Sequence, residues 1–437
     1  MNFDESVSYL LGLGHETLAI KLGLENVGRL LARLGHPEQS FPSVQIAGTN
    51  GKGSAAAMLD AICRASSLRT GLYTSPHLVS VTERVRLSGR EISREEFARH
   101  ATKVRAAAEE VRRESGALPT FFEQVTAVAL SAFGEARVDL AILETGLGGR
   151  LDATTAVRAE TVAVTPVALD HQEYLGATLA EIAGEKAAII RPGARAVVAP
   201  QEAEAARVIS ARCRECGVRP RLAEDGFDVA GACGTGRLLA RVRTRARDYG
   251  VACLALRGRH QLVNAAVAVA LAESLAEDGF AVTPEAVVAG LERAEHPGRL
   301  ELDESADPPV LFDGAHNPAG ARALRAYLDE FVERPVTLVF GAMRDKAVAE
   351  MGAVLFPAAE HLVLTSPQNP RAASPEELVR AVPAPPTSST ISLAPASADA
   401  FALARAHTKP GGLVCVTGSL YLVGEVKSLL GKGRGNF

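Results

Sequence analysis

Ser43-Val44-Gln45-Ile46-Ala47-Gly48-Thr49-Asn50-Gly51-Lys52-Gly53-Ser54, with Ala55-Ala56-Ala57-Met58-Leu59 behind it, decides how the chain is read. Val44 to Ala47 is a short apolar run, the mark of a buried strand. A glycine-punctuated turn follows, and the alanine-rich segment after it favours helix. A strand, a glycine-rich loop and a helix start form an anion site, because free N–H groups and the positive end of the helix dipole meet there. Glycine lets backbone approach a phosphate closely and take positive φ. Lys52 can reach terminal phosphates, and the Ser54 hydroxyl can ligate Mg²⁺. The common nucleotide loop has four residues between its first glycine and the Gly-Lys pair; here only Thr49 and Asn50 separate Gly48 from Gly51. The plainer alternative is a tight turn with a surface lysine. Three glycines around a lysine, closed by a serine at a helix start, outweigh it, and ATP binding is the expectation.

The bulk of the chain limits what else it can be. Its 437 residues suggest two or three domains, and 47% hydrophobic content fills their cores. A net charge of −4 gives no support for wholesale nucleic-acid binding. No run of about 18 apolar residues is present, so no membrane span is expected. Met1-Asn2-Phe3-Asp4-Glu5 lacks the basic-then-apolar order of a signal peptide, and the expected location is the cytoplasm. Six scattered cysteines read as reduced thiols. Cys213-Arg214-Glu215-Cys216 has no second pair to complete a zinc site and lies in a helix-like segment, so it reads as structural.

Outward from the loop, strands alternate with helices. Residues 1–41 read as helices, with Leu24, Val27, Leu30, Leu31 and Leu34 forming an apolar stripe. A strand from Thr70 ends in the polar turn Ser75-Pro76-His77, and Glu83 to Leu87 alternates as an edge strand would. Glu91 to Ser115 is amphipathic and helical, and Phe121-Phe122-Glu123-Gln124 leads into an apolar helix from Val125 to Phe133. Val138 to Glu144 is a buried strand with a carboxylate at its C-terminal end, the edge where ligands gather in parallel sheets. A flexible loop, Gly146 to Asp152, follows, and the strand Thr161 to Thr165 delivers Asp170-His171. Residues 179–190 read as a helix holding Glu185-Lys186, Ala196 to Ala199 as a strand, about 220–257 as irregular β, and Gln261 to Ala276 as helix. Past a boundary at Glu295 to Arg299, Val310 to Asp313 is another strand ending in a carboxylate. The turn Gly314 to Pro318 and a helix from Ala319 come next, then strands at Val336–Phe340, His361–Thr365 and Leu413–Thr417, with a surface loop at Pro383 to Pro386. The expected fold is α/β: a P-loop-like, mostly parallel sheet domain over 1–295 and a smaller C-terminal Rossmann-like α/β domain over 296–437. ATP is expected in the cleft between them.

Marks of chemistry stand just past successive strands, and their order carries a resemblance. Gly48-Thr49-Asn50-Gly51-Lys52-Gly53-Ser54, Ser75-Pro76-His77-Leu78, Glu83-Arg84 and Glu144-x-Gly146-x-Gly148-Gly149-Arg150-Leu151-Asp152 come first. Leu169-Asp170-His171, Glu185-Lys186-Ala187, His296-Pro297-Gly298-Arg299 and Asp313-Gly314-Ala315-His316-Asn317-Pro318 follow. Over nearly the whole chain this series resembles folylpolyglutamate synthase, including the bacterial form that is also dihydrofolate synthase, among the ATP-dependent amide ligases typified by the murein-building ligases. The segment Leu18 to Glu25 resembles the bifunctional form.

The resemblance implies a reaction. The γ-phosphate of ATP activates a carboxylate as an acyl phosphate, and the glutamate amine displaces phosphate to form an amide. It implies two Mg²⁺ ions, with Ser54, Ser75 and Glu144 as oxygen ligands and His171 as a ligand of the second, a role resting on the resemblance alone. Lys186 corresponds to a lysine carbamylated in the family; without that likeness a lysine on an exposed helical face is the plainer reading. K⁺ is a further candidate cation. Catalysis is carried to Lys52, Lys186, His171 and His316. The nucleotide site takes Gly48, Thr49, Asn50, Gly51, Lys52, Gly53, Ser54, Asn264, Arg299, Asp313 and His316. The substrate side takes Phe122, whose ring offers stacking surface, with Arg84 and Asp152. Expected partners are ATP, L-glutamate, dihydropteroate and reduced folates, acting on a monomer. Alternatives are a monofunctional folylpolyglutamate synthase, a murein-type ligase and a P-loop NTPase without ligase chemistry. A murein-type ligase carries a substrate domain before its loop, and only 47 residues precede Gly48. The NTPase leaves Lys186 and the Asp313–His316 turn unexplained.

Overall fold

A computed structural model describes residues 1–14, 23–223, 227–234, 236–382 and 390–434. The segments around Leu18 to Leu22 and Pro383 to Pro386 lie outside them. The first sheet has eight strands: β1 (Ser43–Ala47), β2 (Thr70–Tyr73), β3 (Val85–Leu87), β4 (Arg90–Glu91), β5 (Leu140–Glu144), β6 (Thr161–Val164), β7 (Arg195–Val198) and β8 (Arg221–Leu222). Their order is β4-β3-β2-β5-β1-β6-β7-β8. Only β3 and β4 run antiparallel to their neighbours. β1 is fully buried and sits between β5 and β6, so chain connections diverge on either side of it. That divergence is the switch point where an open parallel sheet leaves a crevice for a ligand.

The sheet is covered on both faces. Helices Lys52–Ala65, His260–Glu277 and Pro284–Arg293 pack on one face with a small antiparallel sheet of β9 (Phe227–Ala232), β10 (Leu238–Arg243) and β11 (Asp248–Cys253). Gly290 lets two of these helices touch, since a Cβ there would lie 2.5 Å from the Ile62 backbone nitrogen. Helices Arg94–Ser115 and Phe121–Ala136 cover the opposite face. A second domain carries a six-stranded sheet of β12 (Glu301–Asp303), β13 (Val310–Phe312), β14 (Val336–Phe340), β15 (His361–Thr365), β16 (Thr390–Ala394) and β17 (Leu413–Thr417), in the order β12-β13-β17-β14-β15-β16. All but β12 are parallel, and apolar clusters cover both faces. The α/β reading with two mostly parallel sheets therefore holds. Among the described residues no helix is long and apolar enough to cross a membrane.

The first domain touches the second along a seam beyond the connecting chain. Gly236, in the turn after β9, lies against the Tyr327 ring with no room for a Cβ. Arg259 holds Glu330 through Nε and Nη2 at 2.7 to 2.9 Å.

Local chemistry moves several expected boundaries. Thr120 and Glu123 form a capping box, so the helix expected from Val125 starts at Phe121. Ser80 and Glu83 do the same for a 3₁₀ turn over Val81–Arg84, which leaves only Val85–Leu87 as strand. Glu91 belongs to β4, and its neighbouring helix begins at Arg94 behind the Ser93 cap. The expectation of uniformly reduced thiols is corrected for one pair, because Cys233 and Cys253 form a disulfide. β9 and β11 both pair with β10, with Ala232 opposite Leu238 and Cys253 opposite Leu239, which brings the two Cα atoms to 6.1 Å. Cys63, Cys213, Cys216 and Cys415 are free and buried, so the C-x-x-C pair is packing.

Candidate active site

The ends of β1, β2, β5, β6 and β13 open onto one cleft of about 340 Å³. Its lining holds Gly48 to Ser54, Ser75, Glu144, His171, Lys186, Asn264, Arg299, Asp313 and His316, so both domains form its walls. The glycines of the loop are needed sterically. Gly51 has φ +88° and its missing Cβ leaves space for the Asn264 side chain. A Cβ on Gly53 would lie 2.6 Å from His296 Nε2 and 3.1 Å from Glu144 Oε2. The base of the loop is pinned, with Thr49 and Asn50 N–H donating to the Pro166 carbonyl at 3.0 and 3.2 Å. Lys52 Nζ donates to Thr49 O at 3.3 Å, a contact that a bound phosphate can replace. Gln261, read from sequence only as the start of a helix, links Asn264 (2.8 Å) to the Ser54 hydroxyl (3.4 Å).

Glu144 ends β5 in register with Ile46 of β1, which sets its carboxylate beside the loop. It is buried and accepts the Ser75 N–H at 3.1 Å. Burial pushes its pKa up, against Lys52, the Ser75 N–H, Arg299 and Arg84. Lys186 is 4% exposed, and among the described residues its ammonium makes no ion pair. Burial and then the charge of Lys52 bring its pKa down to about 7, opposed by Asp170, Asp152 and Glu185. His171, at φ +51°, falls to about 3, chiefly through burial, with Asp170 opposing. From the second domain, the buried Asp313 is pushed up by burial and accepts N–H groups from Leu300 and Ala315 at 3.0 Å each, fixing the turn that carries His316. Arg299 Nη1 donates to Gly314 O at 3.3 Å in the same turn.

Three expected substrate-side residues stay outside the lining. Arg84, 1% exposed, donates to His77 Nδ1 at 2.8 Å and stands over the Phe121 ring. Asp152 is consumed by its own loop, accepting from Leu147 N at 2.9 Å, Thr154 N at 3.0 Å and Thr154 Oγ1 at 2.5 Å. Phe122 fills the space a side chain at Gly146 would need and packs on Tyr73. These three support the wall rather than face the cleft. Asp170, His296, Asn317 and Lys346 are the groups that sequence reasoning left without a role, although the first three lie inside quoted motifs.

Among the described residues no cluster of three or more His, Cys, Asp or Glu side chains could hold a metal ion by itself. The wall instead offers the Glu144 carboxylate with the hydroxyls of Ser54 and Ser75. Mg²⁺ commonly takes one or two carboxylates and completes its shell with water and substrate phosphates, so this oxygen set fits a metal shared with a nucleotide.

Known proteins are similar to the chain along most of its length. The family described as Mur ligase, glutamate ligase domain, matches residues 298–420. The chain is 39% identical over 432 residues to the probable bifunctional folylpolyglutamate synthase/dihydropteroate synthase of Halobacterium salinarum, covering 98% of this chain and 52% of that protein. It thus spans about half the length of the haloarchaeal relatives it matches. It is 34% identical to the dihydrofolate synthase/folylpolyglutamate synthase of Bacillus subtilis, over 95% of this chain and 97% of that protein. Mycobacterium tuberculosis folylpolyglutamate synthase complexed with ADP superposes with a TM-score of 0.89 at 33% identity, covering 98% of this chain and 99% of that one. E. coli FolC in complex with DHPP and ADP gives 0.85 at 32%, covering 100% and 99%. A bifunctional folylpolyglutamate synthase/dihydrofolate synthase with Mn, AMPPNP and L-glutamate bound gives 0.83 at 30%, covering 99% and 98%. The Mur ligase, glutamate ligase domain match falls on the smaller α/β domain, which faces the loop-bearing parallel sheet across the cleft and puts the chain in the class of Mur-type ligases. Within that class, the chain belongs to the dihydrofolate synthase/folylpolyglutamate synthase family.

Proposed function

We propose that the chain is an ATP-dependent ligase that joins L-glutamate to folate-type carboxylates, making dihydrofolate from dihydropteroate and extending reduced folates. The carrying observation is the composition of the cleft, where the Gly48–Ser54 loop, Lys52 and Glu144 of one domain meet Arg299 and His316 of the other. Related structures bound to ADP, to DHPP and to Mn with AMPPNP and L-glutamate support a nucleotide, a pterin acid, a divalent metal and glutamate as ligands. In this reading residues 1–295 bind ATP and residues 296–437 supply the glutamate ligase half.

An acceptor carboxylate oxygen attacks the γ-phosphorus, ADP leaves, and an acyl phosphate forms. The glutamate amine then attacks the acyl carbon, phosphate departs, and the amine proton is lost. Most of this is positioning and charge neutralisation. Lys52 leaves Thr49 O for the terminal phosphates, while Arg299 neutralises phosphate from the facing wall and His316 stands beside it as a hydrogen-bonding group. Glu144, Ser54 and Ser75 would hold Mg²⁺, which neutralises phosphate charge when bound. The buried Lys186, with no ion pair among the described residues, suits carbamylation: its neutral amine adds to CO₂ and loses a proton, giving an anionic oxygen donor beside His171 for a second metal. Closure of the two walls keeps water from the acyl phosphate. We take the protein to act as a cytoplasmic monomer on small molecules alone, and K⁺ as an auxiliary cation.

Phosphate release by purified protein tests the reading. Release is expected with ATP, Mg²⁺ and glutamate when either dihydropteroate or a reduced folate is the sole acceptor. Release with the reduced folate alone leaves the monofunctional alternative, and release with neither sinks the ligase.

A further inference from the structure

Asp170 lies just past β6 in the first domain, with its side chain 6% exposed, and most of its partners come from the second domain. Lys346, beyond β14 and 8% exposed, places Nζ 2.6 Å from Asp170 Oδ1. Asn317 Nδ2 donates to Asp170 Oδ2 at 3.2 Å and also to Asn50 Oδ1 in the phosphate loop at 3.0 Å, while its Oδ1 accepts the Gly320 N–H at 2.8 Å and caps the Pro318–Phe331 helix. His316 donates from Nδ1 to the Gly314 carbonyl at 2.9 Å, which can only accept, and so turns Nε2 toward Asp170 Oδ2 at 3.5 Å. Asp170 Oδ1 also accepts its neighbour's N–H, from His171, at 2.9 Å.

A carboxylate sealed from water needs cationic or N–H partners, and three of those found here reach across from the other domain. Asp170 lines the cleft together with the phosphate loop and is joined to Asn50 of that loop through Asn317. Three of its partners stand on the opposite wall, so its loss acts on how the two walls are aligned.

We propose that Asp170 and Lys346 form a clasp that holds the two domains in the aligned state, making them positioning residues for His316 and Asn317. The proposal rests on the ligase reading for its kinetic consequence. Its structural consequence, one preferred separation of the domains, does not depend on that reading.

Four proteins test it: wild type, Asp170→Asn, which keeps the volume, Lys346→Met, and the double variant. Nitroxide labels on cysteines introduced at the exposed Arg207 and Arg322 report the separation of the domains, since the free native cysteines are buried. One narrow distance is expected in wild type and a broadened distribution in each single variant. For glutamate-dependent phosphate release, kcat is expected to fall about 100-fold in each single variant, the scale of a 1 Å misplacement, while KM for ATP changes less than about threefold. The double variant is expected to lose no more than either single one, because both remove one clasp. Unchanged distances in the single variants overturn the clasp, as do losses that multiply in the double variant. If wild type turns over no ATP with any folate acceptor, the ligase reading fails, and the distances still decide the clasp.

Discussion

Replacing Lys186 with methionine is expected to abolish turnover and make the protein more stable, by an amount that depends on pH. The apolar stem keeps its place in the wall and only the amine is removed. In the folded chain burial lowers this amine from 10.5 to about 7. At 1.36 kcal/mol per pKa unit the gap corresponds to about 5 kcal/mol. Between the two values the unfolded chain binds a proton that the folded chain does not, so stability rises with pH across that window. Below about 7 both states carry the proton and the native state bears the whole penalty. The methionine side chain bears none. The variant should therefore exceed wild type by about 4–5 kcal/mol at pH 6 and by about 2 kcal/mol at pH 9, before any change in packing, which is independent of pH. The assay is urea unfolding followed by far-ultraviolet circular dichroism, without nucleotide and with CO₂ excluded so that the amine stays free. A stability difference that is flat from pH 6 to pH 9 refutes the argument, because it leaves only packing.

Glu144→Gln keeps the shape and removes the charge; turnover is expected to fall about 10²–10³-fold and not to recover in excess Mg²⁺, and full recovery places the carboxylate at the periphery of the metal. His296, half-buried behind Gly53, is held near 3, with desolvation the main cause, so between 6.5 and about 3 the unfolded chain binds the extra proton and stability falls as the solution is acidified. His296→Gln should lose about 3 kcal/mol less than wild type between pH 7 and pH 4 in the same unfolding assay, and parallel acid losses count against a neutral, desolvated ring.

What could be read from the chain follows from where each signal is stored. The strands Val336–Phe340, His361–Thr365 and Leu413–Thr417 are visible to the residue because each is a continuous apolar run buried on both faces. The pieces Arg90–Glu91 and Arg221–Leu222 are too short and too charged to show any period. The start of the helix at Phe121 was legible, since Thr120 and Glu123 stand at capping-box spacing, but the paired phenylalanines suggest a lead-in rather than a first turn. Residues just past strand ends, such as Glu144 and Asp313, declare themselves because topology gathers that edge at a crevice. Asp152 deceives for the same reason: it follows β5 in a glycine-rich loop, yet its oxygens are used up within that loop. The meeting of Asp170 with Lys346 joins two sheets across 176 positions, and no local pattern encodes it.

The seam between the domains has a mechanical consequence. Besides the chain that connects them, and apart from Asp170, Asn50 and Leu78, which also reach it, the second domain is touched by the turn holding Gly236, against Tyr327, and by Arg259, against Glu330. Tyr327 and Glu330 lie three residues apart on one helix, almost a full turn, so they share a side of it. The Cys233–Cys253 bridge ties the strand leading into the Gly236 turn to the strand that runs on toward Arg259, which makes the two struts one piece. Two fixed points define a line. Any rotation of the domains that keeps both contacts must turn about that line, as a door turns on two pins, and the clefts it opens or shuts are those lying to one side of the Pro318–Phe331 helix.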